Sequence, residues 1–153
     1  MLFTDESALE DFMSEPSDAL RDQLASWRGR VVVLGAAGKM GPTLCLRLRR
    51  ALPDHVDLTA VSRFSGADSR VWFHGHGIDT MPLDLMNVRA SDSLPDADYV
   101  VYLVGMKFGT TDNPALTWAV NALLPDRIVR RYAGCKGIVA LSTGNVYPLV
   151  PID

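Results

Sequence analysis

No stretch of this sequence approaches the roughly 18 consecutive apolar residues that a membrane-spanning helix requires. The opening residues, Met1 to Glu6, are acidic where a secretory leader would carry positive charge. Cysteine is almost missing: Cys45 and Cys135 stand far apart with no second pair. That excludes a disulfide scaffold, and two thiols alone make no structural zinc site. Basic charge is short too. The 153 residues carry a net charge of −3, so no positive field draws in nucleic acid or anionic lipid. There are no internal repeats and no low-complexity segments. The expectation is a cytoplasmic protein with neither nucleic acid nor membrane as partner. With 48% hydrophobic and 22% charged residues, the chain can bury the core of one ordinary domain.

Residues 1–29 read as a helical extension. Ser7 with Glu10 suggests a capping box, with Leu9, Phe12 and Met13 following at helical spacing. Pro16 suits the first turn of a second helix, on which Leu20, Leu24 and Trp27 recur on one face. From residue 30 onward, strands and helices alternate. Val31-Val32-Val33-Leu34 is a continuous run suited to a strand buried on both faces. Further strands are expected at Leu58–Val61, Ile78–Leu83, Tyr99–Val104 and Gly137–Leu141. Helices are expected from the glycine-rich turn to about Leu52, near Val88 to Leu94, and over Pro114–Tyr132. The Val71-Trp72-Phe73 segment has no clear assignment. Alternation of this kind requires right-handed crossovers and a parallel sheet. The fold class is therefore α/β, a doubly wound Rossmann-type sheet of about five strands in the order 3-2-1-4-5, occupying residues 30–153.

Gly35-Ala36-Ala37-Gly38-Lys39-Met40-Gly41 follows the first strand directly and opens a helix. The first glycine permits the tight turn, the second lets backbone approach a pyrophosphate, and the third allows close helix–strand packing. The helix start offers free N–H groups and a positive dipole end to the anion. Gly35, Ala37, Gly38, Lys39, Met40 and Gly41 are thus candidate cofactor-binding residues. The spacing G-x-x-G-x-x-G resembles the extended, epimerase/dehydratase-like branch of the short-chain dehydrogenase/reductase superfamily. It is also similar to the loop of dihydrodipicolinate reductases.

Rossmann domains that prefer NAD usually carry an acid at the end of the second strand, bonded to the ribose 2′-hydroxyl. Here that position reads Val61-Ser62-Arg63-Phe64-Ser65. Arg63 and Ser62 suit a 2′-phosphate, with Lys39 adding charge from the loop. NADP is the expected cofactor, with NAD as the alternative.

Four downstream features match the resemblance. Asp84-Leu85 is similar to the pair that contacts adenine in the extended branch. Val104-Gly105-Met106 stands where that branch has a small-residue segment beside the cofactor. Asn121 corresponds to its helix asparagine. Leu141-Ser142-Thr143-Gly144-Asn145-Val146-Tyr147 resembles its Ser-Ser/Thr-x-x-Val-Tyr signature. The resemblance gives Thr143 the catalytic hydroxyl, bonded to the substrate oxygen that gains or loses a proton, and sets Ser142 beside the cofactor. The order of these markers favours the epimerase/dehydratase branch over the dihydrodipicolinate reductases.

In that branch the acid/base is a tyrosine activated by a lysine four residues later, downstream of the Ser/Thr motif. The sequence Tyr132-Ala133-Gly134-Cys135-Lys136 has this spacing but precedes the fifth strand, which puts it at the wrong edge of the sheet. His74-Gly75-His76 lacks the third and fourth ligands of a metal site, and no metal is expected. The chain is therefore expected to be the cofactor-binding part of a longer enzyme acting by hydride transfer on a small molecule of the sugar-nucleotide kind. Homo-oligomerisation is a further possibility. Two other readings stay open: a non-catalytic NADP-binding sensor, and a dihydrodipicolinate-type reductase.

Overall fold

The computed structural model describes residues 3–106 and 111–142, without the side chains of residues 67 and 68. Five parallel strands form one sheet in the order β3-β2-β1-β4-β5. The strands are β1 (Arg30–Leu34), β2 (Asp57–Ser62), β3 (Asp79–Pro82), β4 (Tyr99–Tyr102) and β5 (Gly137–Ala140). The expected order is the observed one. β1 is central, and Val31, Val32, Val33 and Leu34 are all fully buried. Both faces of the strand are covered because successive side chains point to opposite sides. Val31 and Val33 join one core cluster with Cys45, Leu58, Phe73 and Ile78, whereas Val32 and Leu34 join another with Val100, Leu124 and Ile128.

Helices α1 (Glu6–Ser14) and α2 (Asp18–Leu24) precede β1. Their starts differ from the expected caps. Asp5 caps α1, its carboxylate accepting the Ala8 N–H at 2.8 Å, so Ser7 lies inside the helix. Ser17 caps α2, accepting from the Leu20 N–H at 3.3 Å, and Pro16 sits just before the helix. In each case a side-chain oxygen one or more residues from the expected position reaches an orphan amide first. Leu24 enters the core, with Leu20 and Trp27 packed against it. Trp27 stacks on Tyr99 of β4 with ring centroids 3.5 Å apart.

α3 (Gly41–Ala51) connects β1 to β2, and α4 (Ala67–Gly75) connects β2 to β3. The unassigned Val71-Trp72-Phe73 segment is thus helical. Its β-branched and aromatic composition yields to the burial of Phe73, whose ring meets Phe64 edge-on at 5.6 Å. The short α5 (Ala90–Ser93) lies between β3 and β4. The long helix between β4 and β5 comprises α6 (Pro114–Trp118), a π-helical turn (Ala119–Leu123) and α7 (Leu124–Arg131). The turn has a cause in Pro125, which has no N–H to give the Asn121 carbonyl. The helix widens instead, and the Leu124 N–H reaches back to the Ala119 carbonyl. Among the described residues, no helix is long and apolar enough to cross a membrane.

Candidate functional site

At the carboxyl ends of β1 to β4 the chain opens into a cleft of about 590 Å³. It lies where the crossovers leave β1 in opposite directions, the position at which open α/β sheets receive ligands. Gly35, Ala37 and Gly38 line it from the loop after β1, Ser62 and Arg63 from the end of β2, Asp84 and Leu85 from beyond β3, and Val104, Gly105 and Met106 from beyond β4. Ten of the expected residues, distant in sequence, thus share one cavity.

The glycine loop is built for close approach. Gly35 holds φ at +84°, and a Cβ there would meet the Val104 side chain at 2.9 Å. A Cβ on Gly41 would lie 2.5 Å from the Ala36 carbonyl carbon, so only glycine lets α3 start this near the strand. Gly38 differs: a Cβ there would meet only the Gly35 carbonyl oxygen, at 3.2 Å, and nothing else nearby. The space it would fill is open. The Gly35 and Ala36 amides both bond the Val61 carbonyl, and those of Gly38 and Gly41 close turns within the loop. Among the described residues, the amides of Ala37, Lys39 and Met40 have no such partner. Unpartnered amides at a helix start are anion donors.

The turn after β2 carries the second feature. Phe64 adopts φ +48°, a left-handed conformation that costs a non-glycine residue about 1 kcal/mol. Its ring is anchored in the core, while Arg63 and Ser65 on either side line the cleft. No carboxylate pairs with Arg63 among the described residues. Asp84 accepts the Met86 N–H at 3.0 Å, which fixes the start of the loop after β3.

Five expected residues do not line the cleft: Gly41, at the start of α3, and four more. Lys39 and Met40 line a separate cavity between the loop and the N-terminal helices, because the start of α3 rolls them away from the cleft. Asn121 does not line the cleft either: its Oδ1 accepts the Met106 N–H at 2.8 Å and its Nδ2 donates to the Met106 carbonyl at 2.9 Å. Ser142 is exposed just beyond β5, and Thr143 lies outside the described residues. The residues with no individual signal in the sequence are Phe64, Leu83, Met86, Leu103, Leu116, Val120 and Leu124, which complete the apolar lining.

Tyr132 and Lys136 occupy the opposite edge. The Tyr132 hydroxyl donates to the Pro95 carbonyl at 3.0 Å, and burial pushes its pKa up to about 12. Lys136 pairs with Asp98 at 2.9 Å, at the amino-terminal ends of β4 and β5. His74 bonds Thr80, and His76 bonds the Trp72 carbonyl. Among the described residues, no three His, Cys, Asp or Glu side chains gather as metal ligands would.

The model of the family described as NAD dependent epimerase/dehydratase matches residues 31–152. Among solved structures, ADP-L-glycero-D-manno-heptose-6-epimerase of Helicobacter pylori is similar at 16% identity and a TM-score of 0.68, over 89% of this chain and 44% of that one. UDP-glucuronic acid 4-epimerase of Bacillus cereus, in complex with NAD, aligns at 20% identity and a TM-score of 0.63, over 80% and 42%. A putative dehydrogenase of Burkholderia cenocepacia with bound NADP aligns at 17% identity and a TM-score of 0.50, over 67% and 46%. At these identities the likeness is one of fold, and the chain spans less than half the length of each. No curated protein shows a significant match.

Proposed function

The chain belongs to the NAD dependent epimerase/dehydratase family, and on that footing we propose that it is the NADP-binding part of an oxidoreductase acting on a hydroxylated substrate of the sugar-nucleotide kind. The observation that carries this reading is the convergence of four loops, remote in sequence, on one cleft at the carboxyl ends of the strands. The cradle fits a dinucleotide. Gly38 leaves open the space a pyrophosphate needs, and the loop keeps three amides free to bond it.

A nicotinamide ring, once bound, accepts or returns a hydride. The work of the chain is to hold and orient. The unpartnered amides of Ala37, Lys39 and Met40 would hold the pyrophosphate, supported by the dipole of α3. Arg63 and Ser62 take the 2′-phosphate, which a carboxylate in their place would repel. Asp84 and Leu85, which line the cleft, would border the adenine. Gly105 and Met106 would flank the nicotinamide half, the Met106 backbone held by Asn121. Thr143 bonds the substrate oxygen.

Calorimetric titration with each nucleotide tests the reading. NADP should bind about tenfold or more tighter than NAD, the worth of one charge-assisted contact. Failure of both to bind would remove the cofactor role, and tighter binding of NAD would remove the preference.

A further inference from the structure

We propose that the cavity between the N-terminal helices and the phosphate loop, about 870 Å³ in volume, is a second binding site, which takes an organic phosphomonoester with an apolar chain. Half of its wall comes from α1 and the α1–α2 linker, which precede the residues matched by the family model. It shares no lining residue with the nucleotide cleft, and the two cavities meet only at the loop, where Lys39 and Met40 line this one while their amides border the other.

Two stripes run along the loop and α3. Thr43 and Arg47, four residues apart, share one face of α3, and Lys39 lines the same cavity from the loop, with Met40 and Leu44 on the adjoining stripe. Phe12 and Met13 of α1 line the cavity from the other side, and both are exposed. An apolar chain laid between these walls would cover surface that water now meets.

The polar stripe supplies the head-group partners. Lys39 enters no ion pair among the described residues. Arg47 donates one Nη2 bond to the Glu15 carbonyl at 2.9 Å, but its Nε–H is buried with no acceptor among the described residues. A guanidinium N–H withdrawn from water without an acceptor is costly, so a shift of the Arg47 side chain that brings this N–H to a phosphate oxygen would be favoured. The Glu15 carboxylate also borders the cavity, but it is engaged by Arg21 at 2.7 Å. Two cations, a hydroxyl and an apolar wall match a dianionic head on a hydrophobic body better than either part alone.

Decyl phosphate, 1-decanol and inorganic phosphate, titrated calorimetrically into the full chain below micellar concentration, test the proposal. Decyl phosphate should saturate at one per chain and bind about tenfold or more tighter than either of the others, because only it uses both stripes. Phe12→Asp and Arg47→Met should each weaken it about tenfold, whereas Arg63→Ala, in the nucleotide cleft, should leave it unchanged. Phe12 is 59% exposed, so its replacement leaves the core intact and decides the matter if Arg47→Met fails to fold. Equal affinity for decanol, absence of saturable binding, or sensitivity to Arg63→Ala without sensitivity to Phe12→Asp would each overturn it.

Discussion

Asn121 spends both ends of its side-chain amide on the backbone of one residue, Met106: the oxygen accepts its N–H and the nitrogen donates to its carbonyl. The loop after β4 is thereby fastened to the π-helical turn of the long helix. Asn121→Ala should cost about 1 kcal/mol, the net worth of exposed hydrogen bonds, and lower the melting temperature by roughly 3 °C. Asn121→Asp should cost more, because a carboxylate can still accept from the N–H but faces the carbonyl with no proton to give. Thermal denaturation of the two variants checks the order, and a more stable Asp variant would contradict it.

Two of the loop glycines should fail in different ways. Gly38→Val leaves the fold within about 1 kcal/mol of wild type, since its Cβ meets only one carbonyl oxygen. It should nonetheless weaken nucleotide binding by about a hundredfold or more, which is roughly 2.7 kcal/mol. Gly41→Ala drives a Cβ into the Ala36 backbone and should destabilise by about 3 kcal/mol. Melting curves paired with calorimetry separate the two, and normal nucleotide affinity in a folded Gly38→Val protein would contradict the role given to the loop.

Cofactor choice turns on the end of β2. Arg63→Ala should weaken NADP by about ten- to a hundredfold, corresponding to a charge-assisted contact of roughly 1.5–3 kcal/mol, and leave NAD nearly unchanged. Ser62→Asp should tilt the site toward NAD by placing a carboxylate near the ribose. Equal losses for both nucleotides in Arg63→Ala would show that this side chain does not read the 2′ position.

Asp98 makes a prediction about pH. Its carboxylate takes a hydrogen bond from Lys136 and another from the Arg30 N–H, and both lower its pKa. A depressed carboxylate stabilises the fold above its unfolded pKa, near 4, and that contribution disappears as pH falls through the folded value. The melting temperature should hold steady from pH 7 to about pH 5 and decline below about pH 4. Asp98→Asn should melt lower at neutral pH and lose less on acidification, and an unchanged acid slope would refute the assignment.

Most of the sheet was legible because its rules are local. A run of four apolar residues ending in a glycine turn has few other fates, and right-handed crossovers then order the strands. The glycine loop was legible for the same reason. Two things were hidden. Lys39 and Met40 read as part of the loop, but the face they join depends on how α3 rolls as it starts, which tertiary packing decides. Asn121 was visible as a residue type in a helix, yet its partner lies fifteen positions away, and the π turn that widens the helix beside it follows from Pro125. The left-handed Phe64 left no trace, because its strain is sustained by a ring buried among partners from other elements.

The attachment of the two N-terminal helices has a consequence for how the protein opens. α1 is tied to α3 mainly by polar contacts: Arg50 reaches the Asp11 carboxylate at 2.6 Å and the Ser14 hydroxyl at 2.7 Å, and Arg47 reaches the linker. α2 is anchored differently, by Leu24 within the core and by Trp27 stacked on Tyr99. Ties of the first kind weaken in salt, whereas those of the second do not. The domain should therefore come apart in order, as a garment does at a row of snaps before a seam: α1 peels off first, at a free energy below that of global unfolding, while α2 leaves only with the sheet. In native-state hydrogen exchange, α1 amides should quicken as sodium chloride rises while those of α2 keep pace with β1.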